Sequence, residues 1–244
     1  MNPLLDNHHG MNIFRKQFFS ALLCMGILAA TESHATVYNA TRDFSTSSNP
    51  DGVWSYGYSA SGGSSYSMTL FDNQLHSWWV KAGYVILDVP AAGINTSGSR
   101  LNGVDPDQLF LHPGPVSYGD FAILRFTAPA TGTYDVTGQF FAGDSGSMSG
   151  SIVLEGNILA PLQYFASTTD LSIFTPLAVS LSSGETLDFV VGNNGNFLFG
   201  STPLSVTITS TSGAVVAEPA TMPLLAMALM GGLGFARRRS FPAS

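Results

Sequence analysis

One cysteine, Cys24, occurs in 244 residues, and it falls inside an apolar run near the start. The region 36–213 has no thiol, which excludes disulfide staples, cysteine zinc sites and a thiol nucleophile there. Histidine is nearly as scarce, with only His76 and His112 in that region, so a compact His/Cys zinc centre is excluded as well. Basic residues are the third shortage: Arg42, Lys81, Arg100 and Arg125 face thirteen carboxylates, a net charge of −9 over the region. A surface so poor in Lys and Arg excludes nucleic acid as a partner, and anionic polysaccharide held by charge alone. A neutral glycan, or an anionic one bridged by a divalent cation, stays open. Helical periodicity is missing too, and no Gly-x-Ser-x-Gly elbow stands between a strand and a helix.

The long apolar runs lie at the two ends. Met11 opens a segment with Arg15 and Lys16 as a basic start, Phe18 to Ala30 as an apolar stretch, and Ser33-His34-Ala35 as a small-residue cleavage site. This is the layout of a secretory signal, so residues 1–35 are expected to be removed after Ala35, with translation starting at Met11 rather than Met1. Cys24 follows Leu22 and Leu23, where a lipidated cysteine needs a small residue before it. At the other end, Ala217-Glu218-Pro219-Ala220-Thr221 precedes an uncharged stretch closed by Arg237-Arg238-Arg239. The 17 residues 220–236 would span about 25 Å as a helix, enough for a membrane. The three arginines would stop transfer on the cytoplasmic side.

This order of short motif, apolar helix and arginines resembles the PEP-CTERM sorting domain of Gram-negative bacteria, here covering 214–244. The Glu218-Pro219 half of the motif is present, with Ala217 in place of the first proline. The resemblance implies processing by an exosortase, a membrane cysteine transpeptidase. It also implies an inner-membrane intermediate that ends in the cell envelope, on the outer surface or in the extracellular matrix of a cell that makes exopolysaccharide.

Between the two ends, period-two alternation predominates. Leu204, Val206 and Ile208 alternate with Ser205, Thr207 and Thr209; Leu177, Val179 and Leu181 do the same; Leu187, Phe189 and Val191 mark a third strand. Phe121 to Thr127 and Thr133 to Phe141 flank the turn Ala128-Pro129-Ala130-Thr131-Gly132, and Ser151 to Glu155 runs into Gly156-Asn157. Strands at this spacing, separated by Gly, Asn, Pro and Ser, predict one all-β antiparallel sandwich over 36–213. The stretches Asn49-Pro50-Asp51-Gly52-Val53-Trp54-Ser55-Tyr56-Gly57-Tyr58, Leu111-His112-Pro113-Gly114, Leu124-Arg125-Phe126-Thr127-Ala128-Pro129 and Gly143-Asp144 resemble an ectodomain found on PEP-CTERM tails, related to galactose-binding-like jelly rolls.

Strand alternation places Trp54, Tyr56 and Tyr58 on one face, as a platform for sugar rings or as the inner face of a strand filling the core. Trp54, Tyr56 and Trp79 are the candidate glycan contacts; Trp78 and Trp79 must point to opposite faces if extended. Asp105-Pro106-Asp107 and Asp144 supply carboxylates for Ca²⁺, or else cap their own turns. His112 before Pro113-Gly114-Pro115 reads as a loop residue bonded to nearby backbone. Nothing singles out a catalytic set. The expected function is a structural or adhesive component of the exopolysaccharide-rich cell surface, with a glycan-binding module as the alternative and a polysaccharide-modifying enzyme third.

Overall fold

A computed structural model of the chain describes residues 35–60, 65–72, 76–79, 88–116, 120–168 and 172–211. The signal sequence with its start at Met11, the sorting motif Glu218-Pro219, the helix expected at 220–236 and Arg237, Arg238 and Arg239 lie outside the described residues. No helix among the described residues is long and apolar enough to cross a membrane.

The described chain is built of strands: β1 (Val37–Asn39), β2 (Trp54–Ser59), β3 (Ser65–Ser67), β4 (Leu70–Asp72), β5 (Ser77–Trp79), β6 (Ala91–Ile94), β7 (Leu109–His112) and β8 (Phe121–Thr127). There follow β9 (Gly132–Phe140), β10 (Ser149–Leu154), β11 (Gln163–Phe165), β12 (Ser172–Ile173), β13 (Leu177–Leu181), β14 (Thr186–Gly192) and β15 (Thr202–Ser210). They form two antiparallel sheets. The first runs β12-β9-β15-β7-β6-β5-β4, with β13 also beside β9 and β1 also beside β15; the second runs β11-β10-β14-β8-β2-β3. Among the described residues the fold is thus the expected all-β sandwich. Its first hydrogen bonds form at Thr36, whose N–H donates to Ser210 Oγ at 2.8 Å and whose carbonyl accepts Ser210 N–H at 2.9 Å. The residue before it, Ala35, is exposed.

Alternation turns one face of each sheet inward. From the first sheet come Tyr134, Val136, Phe140, Leu204, Val206 and Ile208; from the second come Trp54, Tyr56, Leu124, Phe126, Leu187, Phe189 and Val191, all in one buried cluster. Phe126 is the hub, with ring centroids 5.4 Å from Trp54, 5.5 Å from Tyr134 across the sandwich and 5.3 Å from Tyr38. Burying a ring of that size contributes roughly 1.5–3 kcal/mol. Tight turns end two of the strands: Glu155-Gly156 after β10 and Asn194-Gly195 after β14 have positive φ at both central residues, closed by Asn157 N–H on the Leu154 carbonyl at 3.0 Å and Asn196 N–H on the Asn193 carbonyl at 2.7 Å.

The second sheet differs from the expected pattern of one buried and one wet face. Its outer face also carries a buried apolar group, Ile123, Val153 and Val190, packed by Phe121 and Ile158. Beside it Asp188 is fully buried and is held by Arg125, whose Nε and Nη2 donate to its two carboxylate oxygens at 2.7 Å each. Burial pushes the Asp188 carboxyl above its usual range, despite the opposing pull of Arg125, while the same pairing raises the guanidinium.

Candidate functional site

The rings proposed as a sugar platform are placed by the strand that carries them. Trp54 and Tyr56 are each 1 % exposed and belong to the core, so the platform reading of these two is corrected: their strand face is the inner one. Tyr56 Oη accepts the Ser45 N–H at 3.0 Å, and burial drives its phenol well above the usual range. The indole N–H of Trp54 is buried without a hydrogen-bond partner; against the opposing effect of burial, the Arg42 guanidinium and the Asn39 N–H hold the Asp43 carboxyl below its usual range. Tyr58 is half-buried against the same core. Trp79 closes β5 opposite Leu70 and Ala91; its side chain lies outside the described residues.

The calcium reading is also corrected. Among the described residues no group of three or more His, Cys, Asp or Glu side chains could hold a metal. Asp105 is paired with Arg100 Nη1 at 2.9 Å, Asp107 is exposed in the left-handed region, and Asp144 accepts its neighbour Ser145 N–H at 2.7 Å. These are turn-capping and surface roles, and they leave the three carboxylates ungathered.

A different site emerges on the outer face of the first sheet. In β7, Leu109 and Leu111 face the core, so Phe110 and His112 face outward; in β6, Ala91 and Gly93 stand opposite His112 and Phe110. Small residues opposite large ones leave a hollow. The loop 95–108 closes one side of it, giving a cleft of about 310 Å³ lined by His76, Asp88, Asn95, Thr96, Asn102 and Phe110, with His112, Ser201 and several apolar neighbours completing the wall.

Asn95 fastens that loop. Its Nδ2 donates to the Ser99 and Val104 carbonyls at 2.8 Å each, while its Oδ1 accepts the N–H and hydroxyl of Ser97 at 3.0 and 2.7 Å. At the loop's tip, Leu101 and Val104 exchange two 2.9 Å backbone bonds around Asn102-Gly103, with φ of 48° and 77°. Gly103 is required twice over: a Cβ there would meet the Gly143 carbonyl carbon at 2.0 Å, so the tip packs directly on the 143–144 backbone. His112 is fixed from both ring nitrogens. Gly200 N–H donates to Nε2 at 3.2 Å, which leaves the proton on Nδ1 to be donated to the Pro113 carbonyl at 2.7 Å. Burial lowers the pKa of this imidazole, so it stays neutral. It is therefore the backbone-bonded loop residue expected, and it serves as cleft wall.

Three residues of the cleft, His76, Asp88 and Asn102, adopt left-handed φ of 48°, 49° and 48° without being glycine. Asn, Asp and His are the non-glycine residues that take this conformation most readily, and Asn102 does so in its primed Asn-Gly turn. Asp88 and Asn102 offer a carboxylate and an amide, Thr96 and Ser97 offer hydroxyls, and Phe110 and Leu101 give an apolar floor and rim. Of the cleft residues, the sequence points only to His76 and His112, and to neither as a ligand contact. The Asn102-Gly103 dipeptide was the available signal for a primed turn, and it stood outside the strands that alternation picks out.

No protein-family description matches the chain, and no curated protein does so. Solved structures of partial similarity exist. A family 35 carbohydrate-binding module from Clostridium thermocellum is 16 % identical over 42 % of this chain and 78 % of its own, with a TM-score of 0.28. The family 51 carbohydrate-binding module of a Clostridium perfringens glycoside hydrolase, solved with methyl-galactose, is 10 % identical over 72 % of this chain and 100 % of its own, at 0.32. Pika GITRL is 12 % identical over 37 % of this chain and 73 % of its own, also at 0.28. Likenesses this partial carry no argument about ligand or function.

Proposed function

We propose that this chain is an exported cell-envelope protein whose jelly-roll-like sandwich binds a neutral glycan in the cleft between β6, β7 and the loop 95–108. The observation that carries the proposal is the lining: an amide, hydroxyls and a carboxylate gathered over Phe110. Sugars need that combination, polar groups for hydroxyls and an aromatic surface for C–H faces. At about 310 Å³ the cleft sits at the small end of the roughly 300–1,000 Å³ of small-molecule sites. The sparse basic residues favour an uncharged ligand. With both nitrogens of His112 engaged, the reading is of a binder rather than an enzyme, serving adhesion within exopolysaccharide.

Binding is tested on an array of neutral mono- and oligosaccharides with the full-length chain in mild detergent. Asn102→Gly keeps the φ while removing the amide, so it should fold as before and lose at least tenfold in affinity. Equal binding by this variant, or no binding by the wild type, would refute the cleft as a glycan site. Delivery to the surface rests on the tail. Glu218→Ala or Pro219→Ala should leave export intact but strand the protein at the inner membrane with its tail uncut, as fractionation and mass spectrometry would show. Surface arrival of both variants with normal processing would reduce the tail to a plain anchor.

A further inference from the structure

Phe199 adopts φ 59° and keeps 61 % of its surface exposed. A bulky residue takes that conformation only where its surroundings force it. Here the constraints are backbone bonds on both sides. The Phe199 carbonyl accepts Gly146 N–H at 2.9 Å, Leu198 N–H donates to Asn196 Oδ1 at 3.0 Å, and Gly200 N–H donates to His112 Nε2 at 3.2 Å. Gly146 has no room for a side chain, since a Cβ would lie 2.6 Å from the Leu198 and Phe199 carbonyl oxygens. The loop is thus pinned while its apolar side chains face solvent, with Leu198 also 42 % exposed. Folding alone gains nothing from this arrangement, because glycine would take the same φ without strain and keep the same backbone bonds.

The place of Phe199 in the chain supplies the reason. Ser201, two residues on, lines the cleft, as does His112, which receives the Gly200 bond. Phe199 therefore stands within about 7 Å of chain from the cleft wall. We infer that Phe199 is a rigid stacking ledge for a second sugar ring, next to the one seated in the cleft, so that the ligand is an oligosaccharide rather than a monosaccharide. This rests on the glycan reading above. The C–H face of a pyranose is apolar and lies flat on an aromatic ring, and a ring carried on a pinned backbone loses less entropy on contact than one on a free loop. Leu198 widens the same ledge.

The test uses calorimetry on the full-length chain in mild detergent. The probes are the methyl glycosides of glucose, galactose and mannose and the corresponding β-1,4-linked disaccharides. At least one disaccharide should bind about tenfold more tightly than its methyl glycoside. In Phe199→Gly that ratio should fall to near one while the melting temperature holds or rises, and Phe199→Trp should preserve the ratio. An unchanged ratio in Phe199→Gly would overturn the ledge alone and leave the cleft. A drop in melting temperature, or a wild-type dimer that Phe199→Gly dissociates, would overturn it too, making the ring a packing or self-association contact. Failure of the wild type to bind any of the six probes would remove the cleft reading and the ledge together.

Discussion

Replacing Arg125 by alanine leaves Asp188, whose side chain has no solvent exposure, without the guanidinium that holds both of its oxygens at 2.7 Å. Removing one partner of a buried pair typically costs about 3–5 kcal/mol. The Arg125 side chain is 29 % exposed, so water reaches part of the vacated space and the lower figure, about 3 kcal/mol, applies. In a domain of this size that is a fall of roughly 6–12 °C in melting temperature. The sign of the pH dependence follows from the direction of the shift. Asp188 already has a raised carboxyl pKa, and losing Arg125 raises it further, so its contribution is full below the unfolded value of about 3.9 and is lost as pH rises through the folded one. The deficit of Arg125→Ala should therefore be largest near pH 7 and shrink toward pH 4. Urea unfolding at several pH values measures this, with Arg125→Met/Asp188→Leu as the paired control expected to regain most of the loss. A deficit below about 1 kcal/mol at neutral pH, or one that grows on acidification, would refute the reasoning.

Three further outcomes follow from the same packing. Gly103→Ala should cost about 2 kcal/mol or more, the scale of a strained φ with a backbone clash, because its Cβ would meet the Gly143 carbonyl carbon at 2.0 Å; denaturant titration measures it. Trp54→Ala should destabilise by about 3–5 kcal/mol rather than merely abolish binding, since the ring is 1 % exposed; a fully stable variant would return Trp54 to the surface. His112, whose pKa is lowered by burial, contributes stability above its unfolded value of about 6.5 that is lost as pH falls below it. His112→Gln should flatten that acid limb in thermal melts.

The strands legible in the sequence are those with uninterrupted alternation and a real difference between faces. Phe121–Thr127 has the bounds expected; β9 and β10 are displaced from the expected Thr133–Phe141 and Ser151–Glu155 by one or two residues at each end, and β13, β14 and β15 contain the alternating residues that marked them. The short strands β1, β3, β5, β6 and β7 carry only three or four residues each, too few for a period to declare itself. β6 in particular reads Ala-Ala-Gly-Ile, where small residues conceal which face is inner. That concealment hid the cleft, because its hollow is made by Ala91 and Gly93 opposite His112 and Phe110. Alternation did place Trp54, Tyr56 and Tyr58 on one face of β2, but a strand of aromatic rings looks the same whether its partner is a sugar or the opposite sheet. The burial of Asp188 was hidden for a related reason: a charged residue in mid-strand marks the wet face unless a cation such as Arg125 sits beside it on the neighbouring strand, as it does in the β8–β14 register.

The most direct measurement on the central claim plugs the cleft without disturbing the fold. Thr96 is exposed and lines the cavity, so Thr96→Trp should fill the space while leaving the core and the loop-fastening bonds of Asn95 untouched. Glycan-array binding by the full-length Thr96→Trp chain is expected to disappear for every neutral sugar the wild type retains, with melting temperature unchanged. Retained binding in the plugged variant would contradict the account and move the glycan site elsewhere on the sandwich.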